Sequence, residues 1–170
     1  QYLKSLGHRT VMSLGINKMT IDIYRYLGYS TGTMHHHFLP NRTMRVFQIA
    51  RIPDEILQAE RAFERLDAVS LRELTVADIP SNFLPRAALD IKPRKDLAYV
   101  KRRYFNHPRY RYRVHGIEHG GKLATLLVSR VVQVGAAAAW RIADIIGVES
   151  LLSYVTYDLY DHLVQENLEY

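Results

Sequence analysis

Cysteine is absent from this chain of 170 residues. That excludes disulfides, thiolate-bound zinc and a cysteine nucleophile, and it fits a cytoplasmic protein. Long apolar runs are missing too. No stretch reaches the roughly 18 residues that mark a membrane helix, so no span is expected. The N-terminus shows no recognisable secretory signal. Disorder is not expected either, because 48% hydrophobic and 24% charged residues are the proportions of a chain that buries a core. The length suits one large domain or pieces of two, and no internal repeat is visible. The chain has no initiator Met, opens in the middle of a pattern and ends at Glu169-Tyr170 without a stop signal. We therefore expect a piece of a longer protein.

The net charge of +6 is unevenly spread. Nine Lys or Arg fall in residues 92–113 against one acid, Asp96, so the rest of the chain is acidic overall. Lysine and arginine interleaved with tyrosine suit nucleic acid. Against that reading, no named module is present, and strict alternation in Arg109-Tyr110-Arg111-Tyr112-Arg113-Val114 puts tyrosines and arginines on opposite strand faces. A positive rim that attracts an anionic cofactor and a solvated strand face explain the same charge.

Residues 17–29 organise the first part of the chain. Asn17 is an N-cap, Ile16, Met19, Ile23 and Tyr26 recur at helical spacing, and Gly28 closes the helix. Apolar residues before it and Thr and aromatic residues up to Pro40 predict a strand on either side. Residues 41–51 suggest a short edge strand. Pro53-Asp54-Glu55 starts a helix whose stripe of Ile56, Ala59, Phe63 and Leu66 runs to about Asp67.

Pro80, Pro85 and Pro93 mark residues 70–93 as a linker, with a brief capped turn at Thr75-Val-Ala-Asp78. Leu97, Val100 and Tyr104 line a short helix. His119-Gly120-Gly121 is a hairpin turn. Residues 123–134 form a largely apolar central strand, residues 140–146 another strand, and 149–165 a helix buried through Leu152, Val155, Leu159 and Leu163.

The spacing of Asn17, Thr20, Tyr24, Gly28 and Tyr29 resembles the last helix of the GNAT acyltransferase superfamily. The resemblance implies that Asn17 touches the pantetheine region of coenzyme A. It also implies that Tyr24 protonates the departing thiolate, a task that requires a nearby acid. The bland alternative is an Asn cap, a core tyrosine and a glycine stop.

Two hairpin-linked strands, a third strand and a helix are similar to the first half of the same fold. The expectation is an α+β protein with a GNAT-like mixed sheet flanked by helices, made of pieces of two modules. Residues 1–50 would end one module, 51–93 supply a helix and linker, and 94–170 begin the next. Such tandem proteins occur in bacterial surface-polysaccharide gene clusters, and Tyr104-Phe-Asn-His-Pro-Arg-Tyr-Arg-Tyr112 looks like theirs.

The implied activity is transfer of an acyl group from acetyl-CoA or another acyl-CoA to an amine, such as an amino sugar, with no metal and with a homodimer allowed. Asp144 interrupts the row Trp140, Ile142, Asp144, Ile146. A desolvated carboxylate there is a candidate base for the amine, and a structural ion pair with Arg130 or Arg141 is the alternative. The family's glycine-rich diphosphate loop is incomplete. Gln133-Val-Gly135 is one residue short, while Gly147 and Ser150 stand at the expected position beside Glu149, which repels a diphosphate.

His35-His36-His37 does not suggest a metal site, since neighbours on a strand point to opposite sides. Two other readings remain: a catalytically inactive GNAT-like scaffold and a basic nucleic-acid-binding protein.

Overall fold

The computed structural model describes Ser5 and residues 17–33, 37–60, 62–83 and 94–170. They belong to two units, one reaching to His37 and the other spanning Phe38–Tyr170.

In the first unit, helix α1 covers Lys18–Tyr26. The Asn17 side chain accepts the Thr20 amide at 2.9 Å, which satisfies one of the free donors at the helix start. At the other end Tyr29 N donates to Tyr24 O and Gly28 N to Arg25 O, the paired bonds of a Schellman stop. Gly28 has φ +80°. Residues 29–33 and 37–40 are not strands, so no strand follows α1 among the described residues. The strand expected ahead of it lies outside them.

The second unit contains α2 (Asp54–Gln58), β1 (Val69–Glu73), a 3-10 turn (Val76–Asp78) and α3 (Leu97–Val100), which widens into a π segment at Lys101–Phe105. β2 (Arg113–His119), β3 (Lys122–Val134) and β4 (Ala137–Gly147) follow, then a 3-10 stretch (Glu149–Val155) that leads into α4 (Thr156–Gln165). The fold is α+β, a four-stranded sheet in the order β1-β2-β3-β4 with flanking helices. The resemblance implied a mixed sheet, but all three pairings here are antiparallel.

β3 lies inside the sheet. Leu126, Leu127 and Val128 in succession are wholly buried, because both faces of the sheet are covered. One face packs Val114, Leu126, Val128 and Ile146 against Val100 and Tyr104 of the α3 region and against Leu74, Ile79 and Phe83. The other packs Ile117, Leu127 and Trp140 under Leu151, Val155, Leu159 and Leu163. The stretch read from its prolines as a linker therefore supplies strand β1 and three core residues. Its Thr75–Asp78 capping box forms as expected.

Three elements differ from expectation for identifiable reasons. Helix α2 stops at Gln58, because Arg42 donates to the carbonyls of Ile56 and Ala59. Ala59 turns extended, and Phe63 packs on Tyr157 and Tyr160. Residues 41–51 form turns and bends rather than an edge strand. The alternating arginine–tyrosine run enters the sheet only at Arg113, since His107 Nδ1 accepts the amides of Arg109 and Tyr110 at 3.1 and 3.0 Å. A ladder would need those amides.

The last residues close the unit. Helix α4 ends in a Schellman stop with Asn167 at φ 53°. The tail then pairs along β4, where Glu169 N donates to Ala138 O and Trp140 N to Tyr170 O. The buried Glu169 carboxylate accepts the amides of Gln48 and Ile49 at 2.6 and 2.9 Å. Asn41, also buried, donates to the carbonyls of Leu163 and Leu168 and accepts from Thr43. Among the described residues no helix is long and apolar enough to cross a membrane.

A buried amide with no exposed substitute makes Asn41 a sensitive position. Replacing it with alanine takes this partner from the Leu168 carbonyl and the Thr43 amide, and we expect Asn41→Ala to cost about 1–3 kcal/mol. A urea titration measures this. An unchanged midpoint would show that the tail is held by other contacts.

Candidate functional site

Asp144 is the residue around which a site can be built. Strand alternation alone would put it beside Trp140. The structure separates the two, because β3 and β4 slip register between Val128 and Ser129. Val128 faces Asp144 and Ser129 faces Ile142, which leaves Ala143 as the extra residue of a bulge. One inserted residue exchanges the two faces of the strand beyond it. Trp140 accordingly packs with the α4 core, whereas Ile146 joins the α3 core.

Asp144 points to the α3 side, where its partners are neither Arg130 nor Arg141. Lys95 Nζ donates to Oδ1 at 2.7 Å, and the Tyr104 hydroxyl donates to Oδ2 at 2.5 Å. The side chains of Lys95 and Asp144 are 23% and 14% exposed, so the pair is largely but not fully withdrawn from water.

The two partners flank helix α3, Lys95 just before its cap and Tyr104 in the π segment after it. Asp96 caps it by accepting the Tyr99 amide at 2.9 Å, which fixes the backbone beside Lys95. The π segment that follows bears the buried Tyr104, whose ring meets Tyr112 at 5.2 Å and Tyr99 at 6.0 Å. Burial, and then the bond to Asp144, hold the Tyr104 phenol well above its ordinary pKa, so it remains a neutral donor.

β4 is an edge strand of the sheet. Among the described residues its outer edge is paired by the tail around Ala138 and Trp140. Beyond the bulge the strand runs to Gly147, where φ is +136° and a Cβ would lie 2.3 Å from the Ala124 carbonyl oxygen. Glycine is required there on both counts. Thr125 Oγ1 clamps the next residue, accepting the Val148 amide at 2.8 Å and donating to its carbonyl. Ser150 and Glu149 are exposed at the start of the 3-10 stretch.

In the first unit every position of the Asn17–Tyr29 pattern has a local structural reason. Asn17 and Thr20 form the cap, Gly28 the stop, and Tyr24 meets Tyr29 edge to face at 5.7 Å. Tyr24 is half-buried, and its hydroxyl has no hydrogen-bond partner among the described residues. His37 is exposed, while His35 and His36 lie outside the described residues. Among the described residues no cluster has the makings of a metal site.

Sequence reasoning missed a second polar cluster, on the α4 face. His115 is buried 5.5 Å from Trp140 and 6.0 Å from His162, ring to ring. Arg113 reaches both His162, at 3.1 Å, and Glu166, at 2.5 Å. His115 Nδ1 and Trp140 Nε1 are buried without a hydrogen-bond partner among the described residues. Only the spacing of His115 inside an apolar strand hinted at it.

Burial above all keeps the His115 pKa below its ordinary value, with His162 and Arg113 adding to the effect and Glu73 and Glu166 opposing it. With the folded value depressed, the unfolded chain takes up the proton first. Stability from this group is therefore complete above about pH 6.5 and is lost as pH falls toward the folded value. We expect His115→Phe to flatten the pH dependence of the denaturation midpoint in that window. An undiminished slope would assign it to other groups.

No family model, no curated protein and no solved structure matches this chain.

Proposed function

We propose that this chain carries parts of N-acyltransferase modules related to the GNAT superfamily, in which an acyl group passes from acyl-CoA to an amine. An amino sugar of a surface glycan is the acceptor suggested by the residue 104–112 phrase. One observation carries the reading. The edge strand β4 bulges next to a carboxylate, Asp144, that already binds an ammonium group, and it then runs through Gly147 into the exposed residues Glu149 and Ser150 at the start of a 3-10 stretch.

The chemistry asks for those parts. Amides on an open strand edge suit a thioester carbonyl whose oxygen gains charge during attack. A carboxylate beside the amine can take its proton. Amides at Glu149 and Ser150 suit an anionic cofactor group, although the Glu149 side chain opposes a diphosphate. In the first unit, the half-buried Tyr24 hydroxyl suits an acid for a leaving thiolate, and Asn17 suits the pantetheine chain. Each unit supplies only its own half of a module. Direct attack of the amine on the thioester calls for no metal ion. An acyl-CoA donor and a chain without cysteine together imply a cytoplasmic protein.

Glu149 is the specific observation that favours a second reading, an inactive GNAT-like scaffold that has lost its cofactor. Calorimetric titration with acetyl-CoA, with 3′-phospho-adenosine diphosphate as the charge control, separates the two. We expect saturable binding of the whole cofactor that Asn17→Ala weakens, and a Tyr24→Phe variant that binds normally but turns over on the order of a hundredfold more slowly. Absence of binding both here and in any longer form of the protein favours the scaffold. Unchanged turnover in Tyr24→Phe removes that residue from the mechanism.

A further inference from the structure

Lys95 deserves its own account, because a lysine amine is chemically the kind of acceptor an N-acyltransferase uses. We infer that Lys95 is a self-acylation site, an amine of the chain itself that occupies the acceptor position at Asp144. The inference rests on the acyltransferase reading above.

Three observations support it. Among the described lysines, Lys18, Lys95, Lys101 and Lys122, only Lys95 is ion-paired, and its Nζ lies 2.7 Å from Asp144 Oδ1. Its backbone is held beside the Asp96 cap of α3, so the approach of the side chain is set by a folded element. The Tyr104 hydroxyl occupies the other carboxylate oxygen, which leaves Oδ1 for one amine and orients the carboxylate toward it. The Ala143 bulge turns Asp144, and with it this amine, to the α3 face of β4, the edge strand of the sheet among the described residues. Lys18, Lys101 and Lys122 are exposed and have no carboxylate partner among the described residues.

The step balances without another reagent. The Lys95 ammonium gives one proton to Asp144, and the freed nitrogen lone pair attacks the thioester carbonyl carbon. A carbon–nitrogen bond forms as the carbon–sulfur bond breaks. The second nitrogen proton ends on the coenzyme A thiolate, so the products are an amide at Lys95, a protonated Asp144 and the free thiol. The amide carries no charge, so the ion pair with Asp144 is lost, and once Asp144 passes its proton to water the carboxylate is available to another amine.

Time courses with acetyl-CoA, followed by proteolysis and mass spectrometry, test the inference on the wild-type chain. Positioning and a general base together predict acetylation of Lys95 on the order of a hundredfold faster than Lys101 or Lys122. Asp144→Asn should remove that advantage while leaving the other lysines unchanged. If Lys95 is modified no faster than Lys101 and Lys122, the inference is wrong, and this comparison needs no variant to fold. Acetyl-CoA binding, measured calorimetrically on the same preparation, locates such a failure. Saturable binding with an unmodified Lys95 sinks only the self-acylation, whereas binding absent both here and in any longer form of the protein sinks the acyltransferase reading as well.

Discussion

A single inserted residue in β4, Ala143, lets one strand serve two cores. Before it, Trp140 packs under α4. After it, Ile146 packs under the α3 region, and Asp144 turns to meet Lys95 and Tyr104. Without the slip, strict alternation would send Asp144 into the apolar layer beside Trp140 and Leu127. Arg113, the arginine on that face, is already paired with Glu166, and a desolvated carboxylate without a partner costs several kcal/mol. The bulge thus reconciles a buried tryptophan and a paired carboxylate four residues apart. It also ends regular pairing near an edge, the usual setting for a re-aimed functional side chain.

The second constraint is closure from the C-terminus. The tail after α4 reverses at Asn167 and lies along the first part of β4, and the segment around Asn41 and Gln48 rests on it through buried polar contacts. These bonds cover the edge of β4 only as far as Trp140. Among the described residues nothing else pairs with the remaining edge, beside Asp144. An uncovered strand edge invites pairing with another chain, and here it is short, bulged and followed by an obligatory glycine.

Much of this architecture was legible in the residues. Glycine pairs and apolar runs announced the β2–β3 hairpin, the central strand and the final helix, because turn chemistry and burial leave local marks. The Asn17 cap and the Gly28 stop were legible for the same reason. Strand β1 was hidden by the prolines around it, and its partner lies more than forty residues away. Helix α2 was overextended, since its end depends on Arg42, a tertiary contact that no local pattern contains.

The candidate site was half visible. Asp144 stood out as an acid in an apolar row, but its face was misassigned, because a bulge has no sequence signature in a run such as Ile142-Ala143-Asp144. Its partners Lys95 and Tyr104 lie 49 and 40 residues away in the chain. The arginine–tyrosine alternation was real as a pattern. A histidine side chain overrode it by binding the amides that the strand would have used.

The central claim is that the open edge of β4 beyond the bulge receives the acyl donor. Amide chemical shifts recorded by two-dimensional nitrogen–proton NMR during addition of acetyl-CoA test this most directly. The account predicts progressive shifts at the amides of Ala143, Asp144 and Gly147 and at the helix start around Ser150. Shifts confined to the arginine-rich loop at Arg109 and Arg111, with β4 unmoved, would contradict it.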